Sequence, residues 1–427
     1  MKYIFCLLVV SLCAFGSSLD ELVDYALKNS TVVKKSVVSA ELAKLKRKES
    51  KASQYGSVGL SGEITHYNTA RTLAPLTPSS MMSGMPITTT KTIYTAGIVY
   101  AVPLFTGYAQ TRQVEIDDIA KSMAEVKMKL TKEQLVYNIR SLYLSILAQK
   151  ELLIAQNNYT EALLKLTQQI ADEVRLGKKA KIDLLKAKAN LQSSQTSSEM
   201  TKANIEIMKA TLSSIVTKSV GNLSGVDIDL AKPSYDMREL YSKISNLSRV
   251  AIDDMSIKKA SKMVDKSKSS KYPQINFNSY VGKNYGEDRG INGWDDETMV
   301  QVGLSLKYTI YDFGKRDISI QKAQLSKLEA KLGKEQSVLD IKKMLVEAVQ
   351  KINQSYAEYL GNSKQYELSK KSESIESVRY QNGVSTLNDL LLAKSKTELA
   401  SAKVIQGKYN YKKSIYYLDY ILERGIK

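Results

Sequence analysis

The chain has 427 residues, 62 basic and 44 acidic side chains, a formal charge of +18, one histidine and two cysteines. One histidine excludes His-based catalysis and a His-rich metal site, and charge spread along the whole chain speaks for solvated, Lys-rich helix faces rather than nucleic-acid binding. Cys6 and Cys13 both stand near the start, so the rest must be stabilised by packing or assembly, without disulfides.

Lys2, the apolar run Ile4 to Phe15 and the small residues around Ala14-Phe15-Gly16 read as an export signal over residues 1–16. Cleavage is expected after Gly16, with Ser18 as second choice. The run is too short for a bilayer, which takes roughly 20 residues. Bulky Leu12 precedes Cys13 where a lipid anchor wants a small residue. No later apolar stretch is long enough for a transmembrane helix.

Alternation marks four strands. Val58, Leu60 and Ile64 alternate with Ser57, Ser61, Glu63 and Thr65, and Tyr94, Ala96, Ile98, Tyr100, Val102 and Leu104 form a second apolar series. Ile275, Phe277 and Val281 form a third, and Val300, Val302, Leu304, Leu306, Tyr308 and Ile310 a fourth. They are expected to pair as hairpins, residues 57–68 with 91–104 and 274–285 with 298–310. Strands of about 10 residues suit a transmembrane β-barrel, with Tyr55, Phe105, Tyr272 and Tyr311 placed as an interfacial belt. Soluble hairpins packed on helices are the alternative. Four strands cannot close a barrel, and an open edge is intolerable in lipid. A barrel must therefore be shared between chains.

The six prolines leave Leu104 to Lys232 and Gln274 to Lys427 free of them, which permits very long helices. Leu135, Ile139, Leu142, Ile146, Leu153, Gln156, Leu163, Leu166 and Ile170 trace a coiled-coil seam with one polar interruption. A helix over residues 109–176 would run about 100 Å.

The pattern occurs twice. Pro103-Leu104-Phe105-Thr106-Gly107 opens the first long helix, and Val174-Arg175-Leu176-Gly177 breaks it ahead of Asp183-Leu184-Leu185. Thr309-Ile310-Tyr311-Asp312-Phe313-Gly314 opens the second, and Val378-Arg379-Tyr380-Gln381-Asn382-Gly383 breaks it ahead of Asp389-Leu390-Leu391. Phe105 to Gly177 and Tyr311 to Gly383 are both 72 residues apart, the mark of an internal duplication. The expected organisation is a signal peptide (1–16), a first repeat (17–219), an equatorial linker (220–236) and a second repeat (237–427).

This order of strand, PLF-type opening, long helix and glycine break ahead of Asp-Leu-Leu, twice over, resembles the TolC-type outer-membrane efflux and secretion channels across the mature chain. The resemblance implies a mainly α fold with a β-barrel part. In it, a homotrimer builds a periplasmic α-barrel of long coiled-coil helices continuous with a shared 12-stranded transmembrane β-barrel, four strands per protomer. It implies an exit duct in the outer membrane of a Gram-negative cell, fed by an inner-membrane pump, proton-driven or ATP-driven, and a periplasmic adaptor. No catalysis and no cofactor are implied. By resemblance Asp389 takes the place of an acidic ring that constricts the closed pore, and Tyr380 that of a tyrosine in the network holding it shut. Asp183 is the first-repeat counterpart of Asp389. Leu392 and Ser385 stand where a second acidic residue and a basic partner belong, so the full gating network is not expected.

The adaptor is expected at the two tips, on Arg175, Leu176, Gly177, Lys178, Lys179, Tyr380, Arg379, Gly383 and Ser385. Lys178, Lys179, Lys181 and Lys186 predict an acidic adaptor surface. Both tip aspartates also suit a plain role at a helix start. The alternatives are the outlet of a type I polypeptide secretion system, and an exported coiled-coil protein that forms no pore. His66 is expected at a strand end. Met81, Met82 and Met85 fall in an external loop, and Asp117-Asp118, Asp253-Asp254 and Asp295-Asp296 are expected to point apart rather than form acid/base pairs.

Overall fold

A computed structural model describes residues 17–84, 87–232, 234–288 and 293–426. The expected export signal with Cys13, Met85 and the Arg289-Gly290 end of the second loop lie outside them. In chain order the elements are α1 (Leu19–Asn29), α2 (Thr31–Ala52), β1 (Ser57–Thr72), α3 (Pro78–Met82), β2 (Thr89–Phe105), α4 (Ala109–Arg175) and α5 (Lys181–Val216). Then come α6 (Met237–Ser242), α7 (Ser248–Lys268), β3 (Gln274–Asp288), β4 (Gly293–Lys307), α8 (Lys315–Gln381) and α9 (Leu387–Ile421). None of the described helices is long and apolar enough to cross a membrane. The chain divides into two compact units, one made of the residues up to Val38, Val126–Ala251 and from Gln336 on, the other of Ser39–Glu125 and Ile252–Glu335.

The first unit is helical, and its buried residues trace the seam. Leu135, Ile139 and Ile146 of α4 are buried with Leu19 and Leu22 of α1, Leu212 and Val216 of α5 and Tyr409 of α9. Ile341, Leu345 and Ile352 of α8 form a second core with Leu240, Leu247 and Tyr411. Gln156, the polar interruption, is also buried. The Tyr143 hydroxyl, inside the first core, lies 3.0 Å from the Ser17 carbonyl oxygen and 2.7 Å from that of Ser224. The chain end is held by carboxylates. Glu133 accepts from the Gly425 N–H at 2.8 Å, and Glu423 accepts from the Ser248 N–H at 2.9 Å, capping the start of α7. Burial pushes the Glu133 carboxyl above its usual range, against the pull of the two tail amides that donate to it.

The second unit carries an antiparallel sheet in the order β1-β2-β3-β4. Its ladders set Leu60 against Ile98, Ile98 against Val281 and Val281 against Val300, so one face is apolar across all four strands. That face is bare in the single chain: Leu60 is 90% exposed and Leu304 70%. The strands run longer than the alternation alone predicts. β1 continues to Thr72 through an irregularity between His66 and Arg71, so His66 sits within the strand, 2.8 Å from the Thr92 hydroxyl, and not at its end. β4 stops at Lys307 instead of Ile310, because its partner β3 begins at Gln274, the residue opposite Lys307, and no ladder remains to continue. At the helix-proximal end Phe105, Tyr108 and Tyr272 meet edge to face, and Tyr311 packs on Phe313. The adjacent aspartates diverge: Asp117 accepts from Ser50 and Gln113 while Asp118 pairs with Arg47.

Candidate functional site

The two tips, where α4 turns into α5 and α8 into α9, are built on one backbone. At the first, Gly177 stands at φ +72°, its N–H bonds the Val174 carbonyl at 3.0 Å and the Lys178 N–H bonds the Glu173 carbonyl at 2.8 Å. At the second, Gly383 stands at φ +72°, its N–H bonds the Tyr380 carbonyl at 3.0 Å and the Val384 N–H bonds the Arg379 carbonyl at 2.9 Å. Both are Schellman closures, which satisfy the last helix carbonyls and need a left-handed residue that glycine supplies without strain.

Beyond the turn the two tips differ. α9 starts on Thr386 with a capping box: the Thr386 Oγ1 accepts from the Asp389 N–H at 3.2 Å, and the Asp389 carboxylate accepts from the Thr386 N–H at 3.2 Å and from its hydroxyl at 2.7 Å. The Thr386 hydroxyl and N–H, with Arg379 beyond them, hold the Asp389 carboxyl below the usual carboxylate range. Its side chain stays exposed. α5 starts on Ala180, which has no side-chain cap, with Asp183 in the same N3 place.

Tyr380 is 5% exposed and lies among Leu163, Leu166 and Ile170 of α4, Ala187 of α5 and Leu387, Leu390 and Leu391 of α9. The tyrosine thus ties the first tip to the second. Lys179 sits 4.5 Å over its ring, a cation–π contact. Burial raises the Tyr380 hydroxyl pKa, and the negative charges of Glu173 and Asp183 add to it. Among the described residues that hydroxyl is buried without a hydrogen-bond partner, as are one Glu173 oxygen and the Ser385 hydroxyl.

The remaining tip residues face water. Lys178, Lys181 and Lys186 are exposed and Lys179 half-buried. Arg175 pairs with Asp172 at 3.0 Å, an exposed pair of little energetic weight, and Arg379 pairs at 3.3 Å with Glu376, whose side chain is half-buried. Leu176, Ile182, Leu185, Val384 and Leu392 are all more than half exposed. Of these, charge and motif single out only Leu176 as a docking residue. The signal for the others is apolar residues close to a glycine break. Above the tips a cleft of about 600 Å³ opens between α4 and the α8–α9 pair, lined by Tyr159, Tyr366, Glu373, Lys394 and Glu398 among others. Lys394 of α9 and Glu373 of α8 pair along one wall of it at 2.9 Å. Burial, together with the Glu398 and Glu373 charges, pushes the Tyr159 hydroxyl up to about 12. Nothing in the cleft pairs a nucleophile with a base. It can hold a partner surface by shape, charge and hydrogen bonds.

A family model described as outer membrane efflux protein matches residues 22–217 and 251–422. Among solved structures, a membrane protein from Pseudomonas aeruginosa superposes with a TM-score of 0.79 at 14% identity, covering 96% of this chain and 92% of that one. The CmeC outer membrane channel of Campylobacter jejuni gives 0.75 at 16% identity, covering 96% and 86%. The open state of the MtrE outer membrane channel of Neisseria gonorrhoeae gives 0.72 at 16%, covering 96% and 89%. No curated protein sequence matches the chain.

Proposed function

The chain belongs to the outer membrane efflux protein family, and from that premise we propose that it is the outer-membrane exit duct of a tripartite efflux system. Members are outer-membrane channels with a large periplasmic helical portion, and they work as homotrimers with adaptors and inner-membrane pumps. The bare apolar face running through all four strands fits that setting, since lipid covers such a face where water cannot. The observation that carries the tripartite reading is the pair of tips. Two reversals of one geometry stand side by side in the protomer, the first ringed by exposed lysines and both carrying exposed apolar residues.

In this reading the adaptor brings an acidic surface to Lys178, Lys181 and Lys186 and seats apolar side chains against Leu176 and Val384. Asp389 supplies the constriction. Its carboxylate is exposed and held ionised by the cap, so three copies about a trimer axis would repel one another and favour cations. Tyr380 acts as the hinge packing, because moving either tip uncovers it. Asp183 acts through the charge it places near Tyr380. Substrates pass without chemistry.

Cysteines introduced at Lys178 and Ser385 test this by crosslinking in cells. Recovery of a periplasmic adaptor with a proton-driven pump is the expected result. An ATP-driven transporter instead would reassign the duct to polypeptide secretion. A protein extracted without detergent and linked to neither would end the duct reading.

A further inference from the structure

Roughly 40 Å along the helices from the tips, α4 and α9 leave a cavity of about 260 Å³ between them, with Met208 of α5 at its side. The Lys413 ammonium of α9 enters this space and meets the Ser145 hydroxyl of α4 at 3.3 Å. That hydroxyl gives its own proton to the Ser141 carbonyl at 2.9 Å, so toward Lys413 it can only accept. One neutral acceptor is a poor match for an ammonium with three N–H donors. Among the described residues no carboxylate pairs with Lys413, and no acidic side chain lines the cavity. Burial, with no opposing negative charge, holds the Lys413 ammonium below the usual lysine range.

The other polar groups in the cavity are also free to bind. Gln149 of α4 and Gln406 and Asn410 of α9 bring three side-chain amides to it, and among the described residues none of the three has a hydrogen-bond partner. Leu152, Met208 and Ile405 supply apolar wall. The fold itself does not ask for this polar set. In the register that places Gly177 on Gly383, Lys413 falls on Ile207 and Gln406 on Met200, and both of those apolar side chains are exposed.

We infer that this cavity is a binding site for a small organic carboxylate with an apolar body. The carboxylate takes the Lys413 ammonium, which lacks a negative partner, and the amides complete its hydrogen bonds. The apolar body lies on Leu152, Met208 and Ile405. A single ammonium without arginine suits a monocarboxylate better than a phosphate, whose higher charge calls for more cations. Once occupied, the site ties α9 to α4, the helix that follows the second tip to the helix that precedes the first. A bound acid therefore holds the two helical hairpins together from a point remote from both turns.

The full-length protein purified in detergent tests this. The probe is para-fluorobenzoate, with para-fluorobenzyl alcohol as its uncharged analogue, both followed by fluorine NMR line broadening. The acid is expected to bind at least about tenfold tighter than the alcohol, as a hydrogen-bonded charge pair allows. Lys413→Met keeps the length of the side chain and removes a buried, unpaired charge, so its melting temperature should not fall, while its affinity for the acid should drop to that for the alcohol. Ala402→Leu narrows the cavity with the ammonium in place and should weaken the acid too. No binding by the parent, an alcohol that binds as tightly as the acid, or full binding by Lys413→Met would each overturn the site. Should Lys413→Met melt below the parent, Ala402→Leu decides, and unchanged binding there overturns it. Binding is read without current or partner protein, so failure here leaves the duct reading untouched.

Discussion

The tip closed by Gly177 and the tip closed by Gly383 share a backbone to within a few tenths of an ångström in their closing bonds, and they part at the next residue that matters. Thr386 and Asp389 cap each other at the second tip. Ala180 at the first offers nothing to bond, which leaves the Asp183 carboxylate to act through its charge on Tyr380. Duplication preserved the geometry that reverses the chain, because glycine conformation and carbonyl satisfaction leave little choice there. Side chains just beyond were free to diverge. One tip became a capped start carrying an exposed acid, the other an uncapped start carrying lysines. A shared fold thus does not license copying a residue's role from one repeat to the other.

The comparison can be broken most forcefully by packing. Leu390→Ala removes a residue buried at 2% and should destabilise the tip region by about 2–5 kcal/mol. Leu184→Ala, only partly buried at the matching place, should cost clearly less. Hydrogen exchange of the tip amides reads both. Gly177→Ala and Gly383→Ala should cost about the same, on the order of 1–2 kcal/mol each, since open space surrounds both glycines and only the left-handed backbone penalises the methyl. A marked inequality would show that the two turns are not equivalent. Thr386→Ala should loosen the start of α9 by about 1 kcal/mol, whereas Ala180→Thr should tighten α5 by about 0.5–1 kcal/mol, because Asp183 already stands where a capping box needs it.

The smallest expected effect is on pH. Asp389 has its folded pKa below the unfolded one. Its contribution is therefore present above the ordinary aspartate value and lost as pH falls through the lowered one, that is, below about pH 4. Protection of the α9 start should fade in that window, and Thr386→Ala should flatten the dependence. An acid-insensitive tip in the parent would mean that the capping box is not the source of the shift.

Much of this molecule is legible in its sequence, for reasons that can be named. Period-two alternation identifies four strands because each shows a lipid-type face, and the glycine breaks identify the tips because few residues tolerate φ +72°. The seam from Leu135 to Ile170 is apolar at helical spacing because that stripe is buried. Strand ends are not legible, since β4 ends where its partner does, at Lys307, and the alternation through Tyr308 and Ile310 carries no word of that. The capping box at Thr386 is readable in principle as Thr-x-x-Asp, but the same Asp389 also fits a pore residue, and spacing alone does not separate the two roles. The bond from Thr88 to Asp295 spans 207 residues and has no local signature at all. Nor does the burial of Tyr380, whose neighbours come from α4, α5 and α9 together.

The open edges of the sheet have a genetic consequence. Among the described strands β1 and β4 each have only one neighbour, so every protomer must offer one edge and receive another before the ring closes. A variant with a proline in the outward edge of β4 would still be exported and could still mate through β1, yet could never pass the ring on. Expressed beside an equal amount of the normal chain in a homotrimer, it would leave only about one-eighth of random assemblies intact. Such an allele would be dominant. A deletion of the whole gene on one of two copies would merely halve the number of ducts.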